Sequence, residues 1–111
     1  FIATPEARAT DEYKEAIIES GAGDIVTSAL FTGVSGNYLR KSIVAAGLDP
    51  DNLPLPGPDA MNFQAATGAK AWRDIWGSGQ GIGMIDKVTP AAELVARLVR
   101  EYAEAKARIC G

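Results

Sequence analysis

The longest periodic pattern in the chain runs from Thr89 to Arg108, where Ala91, Leu94, Val95, Leu98, Val99 and Tyr102 recur at spacings of three and four. The positions between them carry charges or alanine, so the segment is expected to form a helix with a single apolar stripe. Thr89-Pro90 supplies a cap and a proline at the first helical position. Glu93 with Arg97 and Glu104 with Arg108 are acid-first pairs four apart, each worth a few tenths of a kcal/mol. A stripe of this length needs a facing surface. Because the chain offers one convincing strand, that surface is expected to lie partly outside these residues.

Earlier elements follow from the same reading. Thr4-Pro5-Glu6 marks a short helical turn. Thr10-Asp11-Glu12 opens a helix from about Asp11 to Ser20, with Tyr13, Ala16, Ile17 and Ser20 on one face. Its acids and Lys14 are expected in solvent, and Gly21 is expected to end it in the left-handed conformation. Asp24 to Phe31 is β-branched and bounded by glycines, which predicts a strand. Thr32 to Asn37 then reads as a turn, and Tyr38 to Ala46 as a helix with Leu39, Ile43 and Val44 inward and Gly47 as its stop. Four prolines between Leu48 and Asp59 predict an extended connector. Met61 to Gly68 reads as irregular, and Ala69 to Trp76 as a helix that places Ala69, Trp72, Ile75 and Trp76 on one side. The two tryptophans read either as core anchors or as an aromatic wall over a cofactor.

The candidate chemistry lies in Trp76-Gly77-Ser78-Gly79-Gln80-Gly81-Ile82-Gly83, where glycine occupies every second position from 77 to 83. The spacing is neither G-x-G-x-x-G nor a phosphate-binding G-x-x-x-x-G-K-[ST] loop. It predicts a tight loop whose amides can cradle an anion or a flavin edge, with Gln80 as the side chain able to donate and accept. Alternatively the loop is structural and packs against a neighbour.

Composition narrows the function classes. The chain has 111 residues, 47% hydrophobic, and a formal charge of −3, one domain's worth of chain with no electrostatic attraction to nucleic acid or an anionic membrane. No apolar run approaches a membrane span, and a cytoplasmic protein is expected. A lone cysteine, Cys110, leaves no intrachain disulfide and no cysteine-based metal site. The absence of histidine removes the usual general base and the commonest metal ligand. A start at Phe1 is consistent with a piece of a longer protein.

The segments Phe1-Ile2-Ala3-Thr4-Pro5-Glu6, Tyr13-Lys14, Phe31 to Leu39 and Trp76 to Gly81, in this order, resemble the C-terminal part of the nitronate monooxygenase (2-nitropropane dioxygenase) family. The resemblance implies an α/β fold: the C-terminal part of an FMN-binding (β/α)8 TIM barrel, made of a small inserted αβ subdomain with a Pro-rich connector (1–68) and the Gly-Gln loop with the terminal barrel helix (69–111), both parts of one incomplete domain. It implies a flavoprotein oxidoreductase that oxidises alkyl nitronates with O2, or a flavin-dependent enoyl or quinone reductase of the same layout. The family's Gly-Gln element falls on Gly79 and Gln80, at the flavin or substrate end of the barrel. The catalytic histidine and the FMN phosphate glycines would lie upstream of Phe1, in a missing N-terminal barrel half, so no catalytic residue and no metal ligand is assigned and the piece alone is expected to be inactive. A free-standing helical interaction domain without catalysis is the reading from a different class.

Overall fold

The computed structural model describes residues 1–54 and 70–111. The expected irregular stretch Met61 to Gly68, and the connector beyond Pro54, lie outside them. Helix α1, Asp11–Glu19, starts as its sequence dictates: the Thr10 hydroxyl accepts the Tyr13 N–H, and Asp11 and Glu12 occupy the first turn. Ala16, Ile17 and Ser20 are buried and Tyr13 is half-buried. Two expectations fail here. Lys14 is buried, its ammonium donating to the Ala7 carbonyl at 3.0 Å, because the Thr4–Ala7 turn folds back over the helix and offers an unpaired acceptor. Gly21 is extended (φ −116°) rather than left-handed, because the chain runs directly into a 3₁₀ turn, Ala22–Asp24. The Asp24 carboxylate accepts the Gly21 N–H at 2.8 Å.

Strand β1 is Ile25–Ser28, shorter than expected, and strand β2 is Gly36–Leu39, where a turn and a helix start were expected. They pair antiparallel in the register Ile25 with Leu39 through Ser28 with Gly36. Gly33, at φ 81°, lets the connection reverse. Across the pair, the Thr27 hydroxyl donates to Asn37 Oδ1 at 2.6 Å. The far edge of β2 is satisfied from a distant part of the chain: Leu39 N–H donates to the Trp76 carbonyl, and Ser78 N–H to the Asn37 carbonyl. This pairing, with Gly77 opposite Tyr38, is what makes residues 36–39 a strand.

Helix α2, Arg40–Ala45, ends as its glycine predicts. Gly47 sits at φ 85°, its N–H donates to the Val44 carbonyl, and Leu48 N–H donates to the Ile43 carbonyl. These two bonds make a Schellman motif. Leu39 and Ile43 are fully buried, but Val44 is exposed, because a helix of six residues has one face on the core and Ser42 and Ile43 occupy it. Helix α3 is a single turn, Ala71–Asp74. The core joins Ala3, Ala16, Ile17, Leu39 and Ile82, with Tyr13, Ile25, Trp76 and Ile85 packed against it.

Helix α4, Ala91–Cys110, is the expected long helix, but its start differs. Pro90 is the cap position and supplies no side-chain bond. The Ala91 N–H is instead accepted by both carboxylate oxygens of Glu6, at 3.1 and 3.2 Å, and Thr89 N–H donates to the Ala3 carbonyl. The N-terminal turn therefore caps the last helix. The expected ion pairs are also replaced, by Arg97 with Glu101 at 2.8 Å and Arg100 with Glu104 at 3.9 Å. Glu93 sits in the first turn and Arg108 in the last, where each complements the helix dipole without an ion-pair partner among the described residues. No residue of α4 is buried: Val95, Leu98, Val99 and Tyr102 all expose their side chains. Among the described residues, no helix is long and apolar enough to cross a membrane.

Candidate functional site

The glycine-rich segment is built in two parts. Residues 76–78 run beside β2 as extended backbone, and Gln80–Met84 then form a 3₁₀ turn entered from Gly79 (φ −109°). The turn closes through Ile82 N–H to the Gly79 carbonyl and Ile85 N–H to the Ile82 carbonyl. Ile82 is buried between α1 and β2 and anchors the loop to the core, which is the structural packing weighed above. None of Gly77, Gly79, Gly81 and Gly83 has a positive φ, so these glycines are not required by backbone strain. What they provide is openness: a Cβ at Gly79 or Gly81 would meet nothing within 4 Å. Gln80 is exposed, and its amide makes no hydrogen bond among the described residues. Gly79 and Gln80 thus present bare backbone and an uncommitted amide on a turn fixed by Ile82. Those features suit the edge of a flat polar ring such as a flavin.

Aromatic side chains stand beside this turn. Tyr13 and Trp76 stack with ring centroids 4.9 Å apart and planes within 6°, and the pair is held by polar bonds at both ends. The Tyr13 hydroxyl donates to the Gly77 carbonyl at 2.5 Å, and Trp76 Nε1–H donates to the Arg73 carbonyl at 3.1 Å. Partial burial pushes the Tyr13 phenol above its ordinary range. Beneath them the buried Ser42 hydroxyl donates to the Leu39 carbonyl and accepts the Trp76 N–H, tying α2 to the glycine segment. Trp76 is therefore a packed anchor, as one sequence reading held. Trp72 is not: it is 80% exposed, because the single turn of α3 commits Ile75 to the core and turns residue 72 outward.

The charges nearby are mostly paired. Arg73 Nε lies 2.8 Å from Asp74 Oδ1, and Lys70 N–H donates to Asp74 Oδ2 at 2.7 Å. The Arg73 guanidinium, then the Lys70 amide, hold the Asp74 carboxyl down to about 2, and Asp74 in turn raises Arg73. Lys70 Nζ lies 5.9 Å from the Trp72 ring centroid. Among the described residues, no group of three histidine, cysteine or acidic side chains is placed to hold a metal ion.

The roles of Tyr13, Ser42 and Glu6 escape sequence reading, since each contacts a segment more than thirty residues away. Tyr13 and Glu6 carried signal as parts of segments that bear the resemblance, and Ser42 carried none.

No protein-family model matches the chain, and no curated protein sequence matches it. Its fold is similar to that of FabK from Thermotoga maritima, with a TM-score of 0.66 and 21% identity over 99% of this chain and 37% of FabK. A point mutant of the same FabK matches with a TM-score of 0.63 and 19% identity, over 99% of this chain and 34% of the mutant. The chain thus spans about a third of FabK's length, and at this identity the likeness shows the fold: a small α/β segment built like about a third of that protein.

Proposed function

We propose that these residues are the C-terminal portion of an FMN-dependent oxidoreductase of the nitronate monooxygenase type, a TIM barrel in which Gly79 and Gln80 meet the flavin or substrate. The observation that carries this reading is the turn at Gly79–Gln80, open above both glycines and pinned below by Ile82, in a segment that matches FabK over nearly its whole length. The flavin supplies the redox chemistry when bound. This chain's part is positional. The Gln80 amide donates to or accepts from a ring carbonyl, ring nitrogen or substrate oxyanion without adding a charge. Core packing of Ile82 fixes the backbone that carries Gln80, and the exposed face of α4 is covered by the remaining barrel. The substrate is an alkyl nitronate oxidised by O2.

Reduction of an enoyl substrate by the same flavin layout is the second reading, favoured by the likeness to FabK. Oxygen uptake by the complete FMN-loaded protein separates the two. Uptake dependent on an alkyl nitronate supports the first reading. A protein that takes up no oxygen with nitronates but oxidises a reduced nicotinamide in the presence of an enoyl thioester supports the second. A complete protein that binds no FMN overturns both and leaves an interaction domain that docks through α4.

A further inference from the structure

The side chains around the Tyr13–Trp76 stack enclose more than the flavin reading uses. Arg8, Thr10, Tyr13, Trp72, Trp76 and Gly77 line a shallow groove of about 350 Å³, large enough for a small molecule. Three features define what it can hold. The polar atoms of the aromatic shelf are spent, Tyr13 on Gly77 and Trp76 on Arg73, so the shelf offers ring faces rather than hydrogen bonds. Trp72 adds a second indole, 80% exposed, on the same groove. The charge available there among the described residues is positive: none of the described lining residues is a carboxylate, Arg73 is neutralised by Asp74, Lys70 Nζ lies 5.9 Å from the Trp72 ring, and the exposed Arg8 has no ion pair among the described residues. In a chain of net charge −3, the unpaired Arg8 guanidinium beside these aromatic side chains favours an anion.

We propose that this groove binds a planar aromatic anion, a flat ring system bearing a carboxylate or a phosphate. The ring stacks on the exposed Trp72 indole, beside the Tyr13–Trp76 pair, and the anion meets Arg8. The proposal does not rest on the flavin reading, which concerns Gly79 and Gln80.

The test is amide and indole NMR of the complete FMN-loaded protein titrated with AMP, with indole-3-carboxylate and with neutral adenosine. Saturable shifts at Arg8, Tyr13, Gly77 and the two indole N–H groups are expected with AMP, with indole-3-carboxylate, or with both, and the comparison identifies a phosphate or a carboxylate as the recognised group. Trp72→Ala removes an exposed side chain and is expected to weaken binding about tenfold without loss of fold. Arg8→Gln is expected to weaken the anions about tenfold and leave adenosine unchanged. Absence of saturable shifts with both anions, or equal weakening of adenosine and the anions by Arg8→Gln, would overturn the proposal.

Discussion

Ile82→Ala probes the joint between the glycine turn and the core. Ile82 is 4% exposed and packs among Ala3, Ala16, Ile17 and Leu39, so truncation removes buried methyl and methylene groups and leaves a void. Two of these neighbours, Ala3 and Ala16, are alanines whose methyl groups cannot extend into the space, which places the cost at about 2–4 kcal/mol. For these 111 residues unfolding as one unit with an entropy of about 2.1 cal/mol/K per residue, that corresponds to a fall in Tm of roughly 9–17 °C. Thermal unfolding followed by circular dichroism reads it directly. Gln80→Ala is the paired control: Gln80 is exposed and its amide is unbonded among the described residues, so its loss is expected to change stability by less than about 0.5 kcal/mol. A Tm change below about 3 °C for Ile82→Ala would refute the claim that this residue fixes the turn.

Three further outcomes follow from particular contacts. Glu6→Gln removes a charged cap from the start of α4 and is expected to cost about 0.5–1 kcal/mol, with faster hydrogen exchange at Ala91; unchanged exchange there would mean that the cap is not formed in solution. The Ser20 hydroxyl is buried without a partner among the described residues, so Ser20→Ala is expected to stabilise the fold by about 1 kcal/mol in denaturant unfolding, and destabilisation would reveal a partner. Asp74 has its folded pKa lowered to about 2, so its contribution is present above the ordinary carboxylate range and lost as pH falls through about 2. A carboxyl NMR titration should find that low midpoint and should find it raised in Arg73→Gln, whereas an ordinary midpoint in the parent chain would show the pair to be open.

What could be read from the sequence was local. The Thr10 cap, the α1 core face, the Gly47 stop and the long stripe of α4 each depend on neighbours within a few residues, and each is present. What could not be read depends on distant partners. Residues 36–39 alternate too briefly to announce a strand and become one because residues 76–78 satisfy their open edge. Lys14 reads as a surface lysine until Ala7 folds over it, and Pro90 reads as a first helical residue until Glu6 takes over the capping. For the site, the openness at Gly79 and Gly81 follows from their lack of side chains, but the anchoring by Ile82 and the Tyr13–Trp76 shelf needed the fold. The stripe of α4 was legible as a pattern, but its exposure was not, because exposure depends on what packs against it.

The central claim, that this segment positions a flavin or its substrate through Gln80, is tested most directly by Gln80→Leu in the complete protein, with kinetics expressed per bound FMN. At least about a tenfold loss of kcat/KM is expected, equivalent to about 1.4 kcal/mol of transition-state binding, with Tm preserved because the exposed side chain makes no hydrogen bond among the described residues. Unchanged kcat/KM per bound FMN would contradict it.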